Sequence, residues 1–214
     1  MGVVLAAGAG RRIGGRPKAL LERDGEALLA RQLRLLAEAG VARTEVVLGH
    51  HAERIAPLLA ARAAPGVGCT LNPAPDEDTA SSLRCALAAL PADAAGVLVL
   101  LGDQALLQRA DLQAVLRAWQ ARPAGIEVVL PTHRGQPGHP LVFGPAVRQA
   151  VAEGQSVRDW RRAHPGQVQA LAVDHPRYTC DVDDEAARAE IAAQHGVRLS
   201  WPADLATPQR LSSA

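Results

Sequence analysis

Residues 2–18 read Gly-Val-Val-Leu-Ala-Ala-Gly-Ala-Gly-Arg-Arg-Ile-Gly-Gly-Arg-Pro-Lys. Residues 2–5 form a short apolar run typical of a buried strand, and the loop that follows contains four glycines, three arginines and Lys18. Glycine lets the backbone approach a ligand closely and leaves N–H groups free to face it. Because a polyphosphate needs both such N–H groups and fixed positive charge, we interpret residues 7–18, here named the phosphate loop, as a cradle for nucleotide phosphates.

The phosphate loop departs from two common phosphate-binding patterns. A dinucleotide-binding Gly-x-Gly-x-x-Gly pattern could begin at Gly8, but Ile13 stands where its last glycine should be and Pro17 delays the following helix. A Walker A loop requires Gly-Lys-Ser/Thr, whereas alanine follows Lys18. A solvated loop is the alternative to a ligand site, but several glycines directly after an apolar strand favour the ligand site.

Apolar runs of strand length alternate with helical patterns along the chain. The predicted strands are Gly2–Leu5, Thr44–Leu48, Gly68–Leu71, Gly96–Leu101, Glu127–Leu130, His139–Phe143 and Val168–Val173. Helical spacing occurs around Leu33 and Leu112 and over Ser81–Leu90 and Asp184–His195, and Asp183 or Asp184 could cap the last of these helices. This alternation predicts an α/β fold, in which a mostly parallel sheet has helices on both faces. Ligands of such sheets bind beyond the carboxyl ends of the strands, so functional residues should follow strands directly.

Length, composition and charge bound the class of protein. The 214 residues suffice for one sizeable core, and we expect a single domain over residues 1–200 with a loosely held C-terminal tail over residues 201–214. Hydrophobic residues make up 48% of the chain, which excludes a disordered protein. A net charge of +1 without a long basic run argues against a nucleic-acid partner, and the apolar stretches are too short to span a membrane. We therefore expect a soluble, cytoplasmic protein.

Carboxylates in two places are candidates for a metal site. Asp103 follows the apolar run 97–101, and a carboxylate at the end of a buried strand is well placed to hold Mg²⁺; a turn or helix cap is the alternative. In the Asp-Val-Asp stretch at 181–183 we expect the two carboxylates to point to opposite sides, one facing the site and one capping the following helix. Asp111 lies in a polar segment and is expected to be solvated.

Two further segments place polar residues at the ends of predicted strands or helices. Asn72 ends a strand and Ser82 lies where a helix begins; a turn at Asn72 and a serine N-cap are the alternatives to a ligand contact. The stretch Gly-Gln-Pro-Gly-His-Pro at 135–140 indicates a shaped loop before an apolar strand. His139 in this loop could donate a hydrogen bond to an acceptor substrate or be structural.

The phosphate loop resembles the signature of the nucleotidyltransferase superfamily, which includes sugar-phosphate, methylerythritol-phosphate and MobA-like molybdenum-cofactor transferases. That signature is Leu-x-x-Gly-x-Gly-x-Arg-x-Gly, a short spacer and Pro-Lys. Its positions are filled in order by Leu5, Gly8, Gly10, Arg12, Gly14, Pro17 and Lys18. Within the superfamily, Leu-Ala-Ala-Gly at 5–8 is typical of cytidylyl- and other transferases, whereas guanylyl transfer to molybdopterin goes with Leu-Ala-Gly-Gly. Gly-x-x-Gly-His-Pro at 135–140 is typical of molybdenum-cofactor cytidylyltransferases. The resemblance implies a three-layer, Rossmann-like nucleotidyltransferase fold.

The resemblance also implies roles for individual residues. The implied catalytic residues are Arg12, Lys18 and Asp103. The implied nucleotide-binding residues are Leu5, Ala6, Ala7, Gly8, Gly10, Arg12, Lys18, Asn72, Ser82 and Asp103. Gly138, His139 and Pro140 are expected to line the acceptor pocket. Asp103 and Asp181 are expected to hold Mg²⁺, with Asp183 as a structural partner.

The expected reaction is the transfer of CMP from CTP to the phosphate of molybdopterin, with release of pyrophosphate. A molybdoenzyme that receives the product is the implied protein partner. The sequence departs from the family pattern where Ala105 replaces a proline and where Asp78-Thr79 replaces Gly-Gln. Two alternatives therefore stay open: a nucleotidyltransferase acting on a sugar or alditol phosphate, and a non-catalytic carrier or chaperone of the same fold.

Overall fold

Eleven strands and seven α-helices occur in the computed structural model, which describes residues 1–61, 65–76 and 79–206. The strands are β1 (Gly2–Ala6), β2 (Glu22–Arg23), β3 (Glu26–Ala27), β4 (Thr44–Leu48), β5 (Val67–Leu71), β6 (Val97–Leu101), β7 (Val128–His133), β8 (Gln136–Pro137), β9 (Leu141–Phe143), β10 (Val168–Val173) and β11 (Leu199–Ser200). The helices are α1 (Leu28–Glu38), α2 (Ala52–Ala61), α3 (Thr79–Ala89), α4 (Arg109–Gln120), α5 (Pro145–Ala152), α6 (Val157–Ala163) and α7 (Glu185–His195). None of the helices in this described part of the chain has the length and apolarity that crossing a membrane requires.

The central sheet follows the order β10-β7-β9-β6-β1-β4-β5, and β8 pairs with β7. β1 lies between β4 and β6 and runs parallel to both, with Gly2 opposite Thr44 and Leu98. β9 runs antiparallel to both of its neighbours, β6 and β7. Strands with both faces buried are built from continuous apolar runs, as the Val-Leu-Val-Leu-Leu sequence of β6 illustrates. The predicted mostly parallel sheet is confirmed.

Helices cover both faces of this sheet, which confirms the predicted three-layer architecture. On one face α1, α2 and α4 pack around a core that includes Leu36 and Leu112. On the other face α3, α5 and α6 contribute Leu83, Val147 and Trp160 to a second core. Burial of each such side chain contributes about 2 kcal/mol to the stability of the fold. Because the sheet is held from both sides, its carboxyl edge is a rigid support for the loops that follow its strands.

A small second sheet, ordered β11-β2-β3, packs with α7 around a third apolar cluster. This cluster contains Ile13 from the phosphate loop and Val182 from the segment that precedes α7. Trp201 packs against it, and Leu205 is only 1% exposed. The packed region thus continues past the predicted boundary at residue 200, while residues 207–214 of the predicted tail lie outside the described residues.

Candidate functional site

A cavity of about 410 Å³ lies where β1 and β6 end, at the edge of the sheet where parallel sheets bind ligands. Its walls include the predicted site residues Leu5, Ala6, Ala7, Gly8, Gly10, Arg12, Lys18, Ser82 and Asp103. Arg11, Pro75, Asp76 and Asp183 line it as well. Segments that are far apart in the sequence therefore meet in one cavity.

The phosphate loop is folded tightly upon Gly10. The carbonyl oxygen of this residue accepts hydrogen bonds from the N–H groups of Ile13, at 2.9 Å, and Gly15, at 3.0 Å. Gly10 has a φ of +64°, and a Cβ atom there would stand 2.1 Å from the carbonyl oxygen of Arg16. A side chain at position 10 is therefore excluded, whereas a Cβ at Gly8 would meet nothing within 4 Å.

Lys18 joins the phosphate loop to two carboxylates. Its Nζ donates to Asp103 Oδ2 at 2.9 Å and to Asp183 Oδ1 at 3.0 Å, while Arg12 lies 3.1 Å from the other oxygen of Asp183. Burial lowers the pKa of Lys18, but the charges and hydrogen bonds of the two carboxylates outweigh it, so its pKa is raised. For Asp183, burial alone would raise the pKa, but the hydrogen bonds and charges of Lys18 and Arg12 outweigh it and lower the pKa below its ordinary value. Lys18 and Asp183 therefore both carry their charges at neutral pH.

One feature of the sequence could have drawn attention to Lys18 without any family knowledge. It is the only lysine in a chain that has 23 basic residues, all others being arginine. Arginine and lysine are not interchangeable, since the lysine ammonium is a compact point charge on a flexible stem. A lone lysine in an arginine-rich chain indicates a position where that compact charge is needed.

Asp103 and Asp181 each keep one buried carboxylate oxygen, Oδ1, without a hydrogen-bond partner. Burial, followed by the negative charges of Asp103 and Asp183, raises the pKa of Asp181 to about 7. Backbone hydrogen bonds join the segments that carry Asp103 and Asp181. The Val182 N–H donates to the Asp103 carbonyl oxygen at 3.1 Å, and Gln104 forms a β-bridge with Asp181. Two buried, unpaired carboxylate oxygens held near each other can serve as ligands for a divalent cation.

The described part of the chain contains no group of three or more His, Cys, Asp or Glu side chains arranged to hold a metal ion. A cation at Asp103 and Asp181 would therefore need further ligands from a substrate or from water. Mg²⁺ is usually bound in this manner, through one or two carboxylates together with phosphate oxygens. The donor set fits an ion that arrives with a polyphosphate.

The structure corrects the predicted division of roles between the aspartates at 181–183. Asp183 does not cap a helix but faces the cavity beside Lys18, and it is Asp184 whose Oδ1 accepts the N–H of Ala187 at 2.8 Å at the start of α7. The prediction that Asp181 and Asp183 point to opposite sides is wrong, because side chains two residues apart share a side of an extended chain. Both carboxylates therefore approach Lys18 and Asp103.

Asn72 lies behind the cavity and supports it. Its Nδ2 donates to the hydroxyl oxygens of Ser81 and Ser82, at 2.9 Å each, and its Oδ1 accepts the N–H of Ala74 at 2.9 Å. The side chain is thus engaged within the protein, is only 2% exposed, and lies outside the cavity wall, where it positions Ser82. Asp78, one of the family departures, lies outside the described residues.

The predicted acceptor segment, Gly138 to Pro140, lies beside the cavity rather than in its wall. The Gln104 side chain donates to the carbonyl oxygen of His139 at 3.2 Å, which ties this segment to the residue after Asp103. Burial, assisted by the charge of Arg161, lowers the pKa of His139 to about 4. Arg161 itself has a buried Nε without a hydrogen-bond partner.

Ala105, the other family departure, is fully buried in the third apolar cluster. Its carbonyl oxygen accepts a hydrogen bond from Arg23 Nη1 at 2.9 Å. Gln104 is fixed next to it by bonds to the carbonyl oxygens of His139 and Tyr178, at 3.2 and 3.1 Å. The loop after Asp103 is therefore held in shape without a proline.

A polar contact across the cavity mouth was not predicted from the sequence. Asp76 Oδ1 lies 2.9 Å from Arg11 Nη2 and 3.0 Å from His50 Nε2. The adjacent His51 contacts the Ala9 carbonyl oxygen at 2.9 Å. The sequence signal for this contact is that the two histidines come one residue after the strand ending at Leu48. These residues connect the phosphate loop to the segment that carries Ser82.

Comparisons with known proteins agree with this geometry. The bifunctional protein GlmU of Mycobacterium tuberculosis is 32% identical over 185 residues, which cover 84% of this chain and 36% of GlmU. The crystal structure of Rv0371c from M. tuberculosis H37Rv is 30% identical with a TM-score of 0.73, and the match covers 90% of this chain and 96% of that one. A crystal structure of Rv0371c in complex with manganese is 31% identical, with a TM-score of 0.67 and coverage of 89% and 96%.

The extent of these matches differs between the relatives. The chain spans only about a quarter to a third of the length of the curated GlmU relatives. A family match, in contrast, takes in most of this chain: residues 2–169 fit the family described as the MobA-like NTP transferase domain. That range contains the phosphate loop, Asp103 and the segment at 138–140. The chain belongs to the MobA-like NTP transferase domain family.

Proposed function

We propose that this protein is a nucleotidyltransferase that transfers CMP from CTP to the phosphate of molybdopterin and releases pyrophosphate. The observation that carries this proposal is the junction of Lys18 with Asp103 and Asp183 beneath the glycine-rich loop, in a cavity of about 410 Å³. A cationic loop beside carboxylates is what a nucleotide triphosphate with its divalent cation requires. Membership of the family supports the same class of reaction.

The triphosphate is held by the backbone N–H groups of the phosphate loop and by the side chains of Arg12 and Lys18. Arg12 is largely exposed at the cavity wall, so its guanidinium can turn towards a phosphate without loss of a buried contact. Lys18 is fixed by its two carboxylates and presents a charge at a defined position. Preorganised charge of this kind stabilises the developing negative charge of a transition state.

Asp103 and Asp181 are the residues that would hold a divalent cation, since each has a buried oxygen without a partner. When bound, such a cation would neutralise charge on the nucleotide phosphates. The manganese complex of Rv0371c supports a divalent cation in a protein of this fold. Mg²⁺ is our proposed ion.

The acceptor phosphate supplies the nucleophile. A phosphate monoester oxygen is already largely ionised near neutral pH, so the attack on the α-phosphorus needs no dedicated general base. The bond from the α-phosphorus to the bridging oxygen breaks as the new bond forms, and pyrophosphate leaves with that oxygen. The residues of the site therefore act by positioning and by charge.

The choice of CTP and molybdopterin rests on two motifs. Leu5 to Gly8 and Ser82 line the cavity and resemble the cytidylyl branch of the superfamily. The segment 135–140 resembles the molybdenum-cofactor branch, and its tie to Gln104 brings it next to Asp103. A molybdoenzyme that accepts the product is the proposed partner. A sugar phosphate is the second candidate acceptor, because the resemblance includes sugar-phosphate transferases and GlmU aligns over 84% of the chain.

Pyrophosphate release tests the proposal. The purified protein is assayed with CTP, GTP, ATP or UTP in turn, each alone, with molybdopterin and with a sugar 1-phosphate. We expect release with CTP only when molybdopterin is present. Release that depends on the sugar phosphate would favour the second acceptor, and release with GTP would contradict the choice of base. No release under any condition would favour a non-catalytic carrier.

A further inference from the structure

Arg16 belongs to the phosphate loop but does not face the cavity. It is absent from the cavity wall, whereas Arg11, Arg12 and Lys18 line it. The Arg16 residue is only 4% exposed, and its Nε donates to the carbonyl oxygen of Ile13 at 2.9 Å within the loop itself. The third arginine of the loop is therefore an internal anchor rather than a phosphate ligand.

The other end of the Arg16 guanidinium is held by residues near the C-terminus. Its Nη2 donates to Glu185 Oε1, and its central carbon lies 4.3 Å from the centroid of the Trp201 ring. Trp201 Nε1 donates to the same carboxylate oxygen at 3.0 Å, and Arg188 Nε donates to Oε2 at 2.6 Å. Burial raises the pKa of Glu185, but the bonds from Arg188 and Trp201 and the nearby arginine charges bring it below its ordinary value. We name Arg16, Glu185 and Trp201 the clasp.

The clasp spans the two sequence segments that meet at the site. Arg16 precedes Lys18 by two residues, and Glu185 follows Asp183 by two residues at the start of α7. The same two segments are therefore joined twice, by Lys18 with Asp183 at the cavity and by Arg16 with Glu185 in the clasp. Trp201 lies beyond the residues that match the family, which end at 169. The C-terminal segment therefore contributes to the position of the phosphate loop.

We propose that the clasp positions the phosphate loop for the triphosphate, so that Glu185 and Trp201 are positioning residues that set nucleotide affinity without touching the nucleotide. This inference rests on the proposed function of the same site. A loop held in its binding conformation loses less entropy on binding, and binding is tighter for that reason. Because coupling between sites is reciprocal, a bound triphosphate must in turn stabilise the clasp.

The test measures, by calorimetry, the affinity of the protein for inorganic tripolyphosphate with Mg²⁺. Because this probe has no base and no acceptor, its affinity reports on the phosphate loop alone. We expect Glu185→Gln to weaken binding by about tenfold, the usual effect of one lost charge-assisted contact. Glu190→Gln is the matched control, since Glu190 lies on the same helix outside the clasp and accepts a hydrogen bond from Gln194 Nε2 at 2.8 Å. Trp201→Phe keeps the stacked ring and loses the N–H donor, so we expect a smaller effect than for Trp201→Ala.

Hydrogen exchange of backbone amides supplies a readout that general destabilisation does not imitate. We expect Glu185→Gln to speed exchange at residues 10–18 without a change in the central strands, and tripolyphosphate to slow exchange at residues 199–201 of the unsubstituted protein. Equal tripolyphosphate affinity in Glu185→Gln, Trp201→Ala and the unsubstituted protein would overturn the inference while leaving the proposed function intact. If the unsubstituted protein binds no tripolyphosphate, the proposed function fails and this inference fails with it.

Discussion

Lys18 lies between two carboxylates, and this arrangement makes it the most sensitive single residue of the site. Lys18→Ala removes the proposed phosphate contact and leaves Asp103 and Asp183 facing each other without a shared cation. We expect kcat/KM for nucleotidyl transfer to fall by about 100-fold or more, as for loss of other preorganised charges in active sites. Steady-state pyrophosphate release measures this, and circular dichroism checks that the fold is retained.

The matched control for Lys18 is an arginine with an equally clear ion pair outside the cavity. Arg34 on α1 pairs with Glu26 at 2.7 Å and with Glu38 at 3.0 Å, at the protein surface. Arg34→Ala should leave turnover within about twofold of the unsubstituted rate, since exposed ion pairs contribute little. A near-normal rate in Lys18→Ala, or an equal loss in both variants, would contradict the role assigned to Lys18.

His139 gives the protein a predictable response to acid. Its pKa is lowered from 6.5 to about 4, chiefly by burial, so the unfolded chain binds a proton more readily than the folded one. Stability should therefore fall as the pH drops from about 6.5 to about 4, by up to about 3 kcal/mol from this group. His139→Gln removes that dependence, and urea unfolding at pH 7 and pH 4.5 measures the difference. An equal acid loss in His139→Gln and the unsubstituted protein would contradict this reading, with His195→Gln on α7 as the control.

Individual charged residues were the hardest to interpret from sequence. Asp111 was expected to be solvated but is 2% exposed, with both of its oxygens bonded to Arg177 at 2.7 and 2.8 Å. Arg177 lies 66 positions from Asp111 in the sequence, and a local sequence pattern cannot predict a contact over that separation. In contrast, Asp103 could be chosen because it follows a continuous apolar strand, which is itself a local signal.

At the scale of elements, two neighbouring aspartates at the start of α7, Asp183 and Asp184, have different partners. Asp184 caps the helix through the Ala187 N–H, so Asp184→Ala should lower the free energy of unfolding by about 1 kcal/mol. Asp183 faces Lys18 and Arg12 instead. We therefore expect Asp183→Asn to lower turnover by at least tenfold with a smaller change in stability.

These two neighbours form a matched pair, and urea unfolding together with pyrophosphate release distinguishes them. Asp184→Ala should retain turnover at temperatures where it is fully folded, whereas Asp183→Asn should not. The reverse outcome, with activity lost in Asp184→Ala and stability lost in Asp183→Asn, would instead assign the cap to Asp183, the other residue that the sequence offers for it.

The predictability of each element follows from the length of its pattern. The seven predicted strands all occur, with bounds shifted by no more than a few residues, because a run of strand length rich in apolar residues is a local pattern. β2, β3, β8 and β11 have only two residues each and offer no periodicity to detect. α2 and α5 were also not predicted: Pro57 within α2 disguises the helical pattern, and α5 has only eight residues.

At the scale of the whole molecule, the site is assembled from the phosphate loop, the end of β6 and the approach to α7. The rule that ligands bind beyond the carboxyl ends of parallel strands locates the first two from the sequence. Asp181 does not follow a strand of the central sheet but comes after a 3-10 turn ending at Tyr178. The acidic stretch at 181–183 is a candidate from its residues, but only the family resemblance selects Asp181 within it. The clasp could not be predicted at all, since Arg16 and Trp201 share no sequence pattern and meet only in three dimensions.

Because Asp103, Asp181 and Asp183 converge from distant parts of the chain, a divalent cation should stabilise the molecule as a whole. The ion would bind the folded arrangement and not the unfolded chain, and at 100 times its dissociation constant it adds about 2.7 kcal/mol. We expect Mg²⁺ or Mn²⁺ to raise Tm in differential scanning fluorimetry, and EDTA to reverse the shift. Asp181→Asn should abolish most of it, whereas Asp204→Asn, an exposed carboxylate near the C-terminus, should preserve it. Equal shifts in both variants would show that the ion stabilises the protein elsewhere.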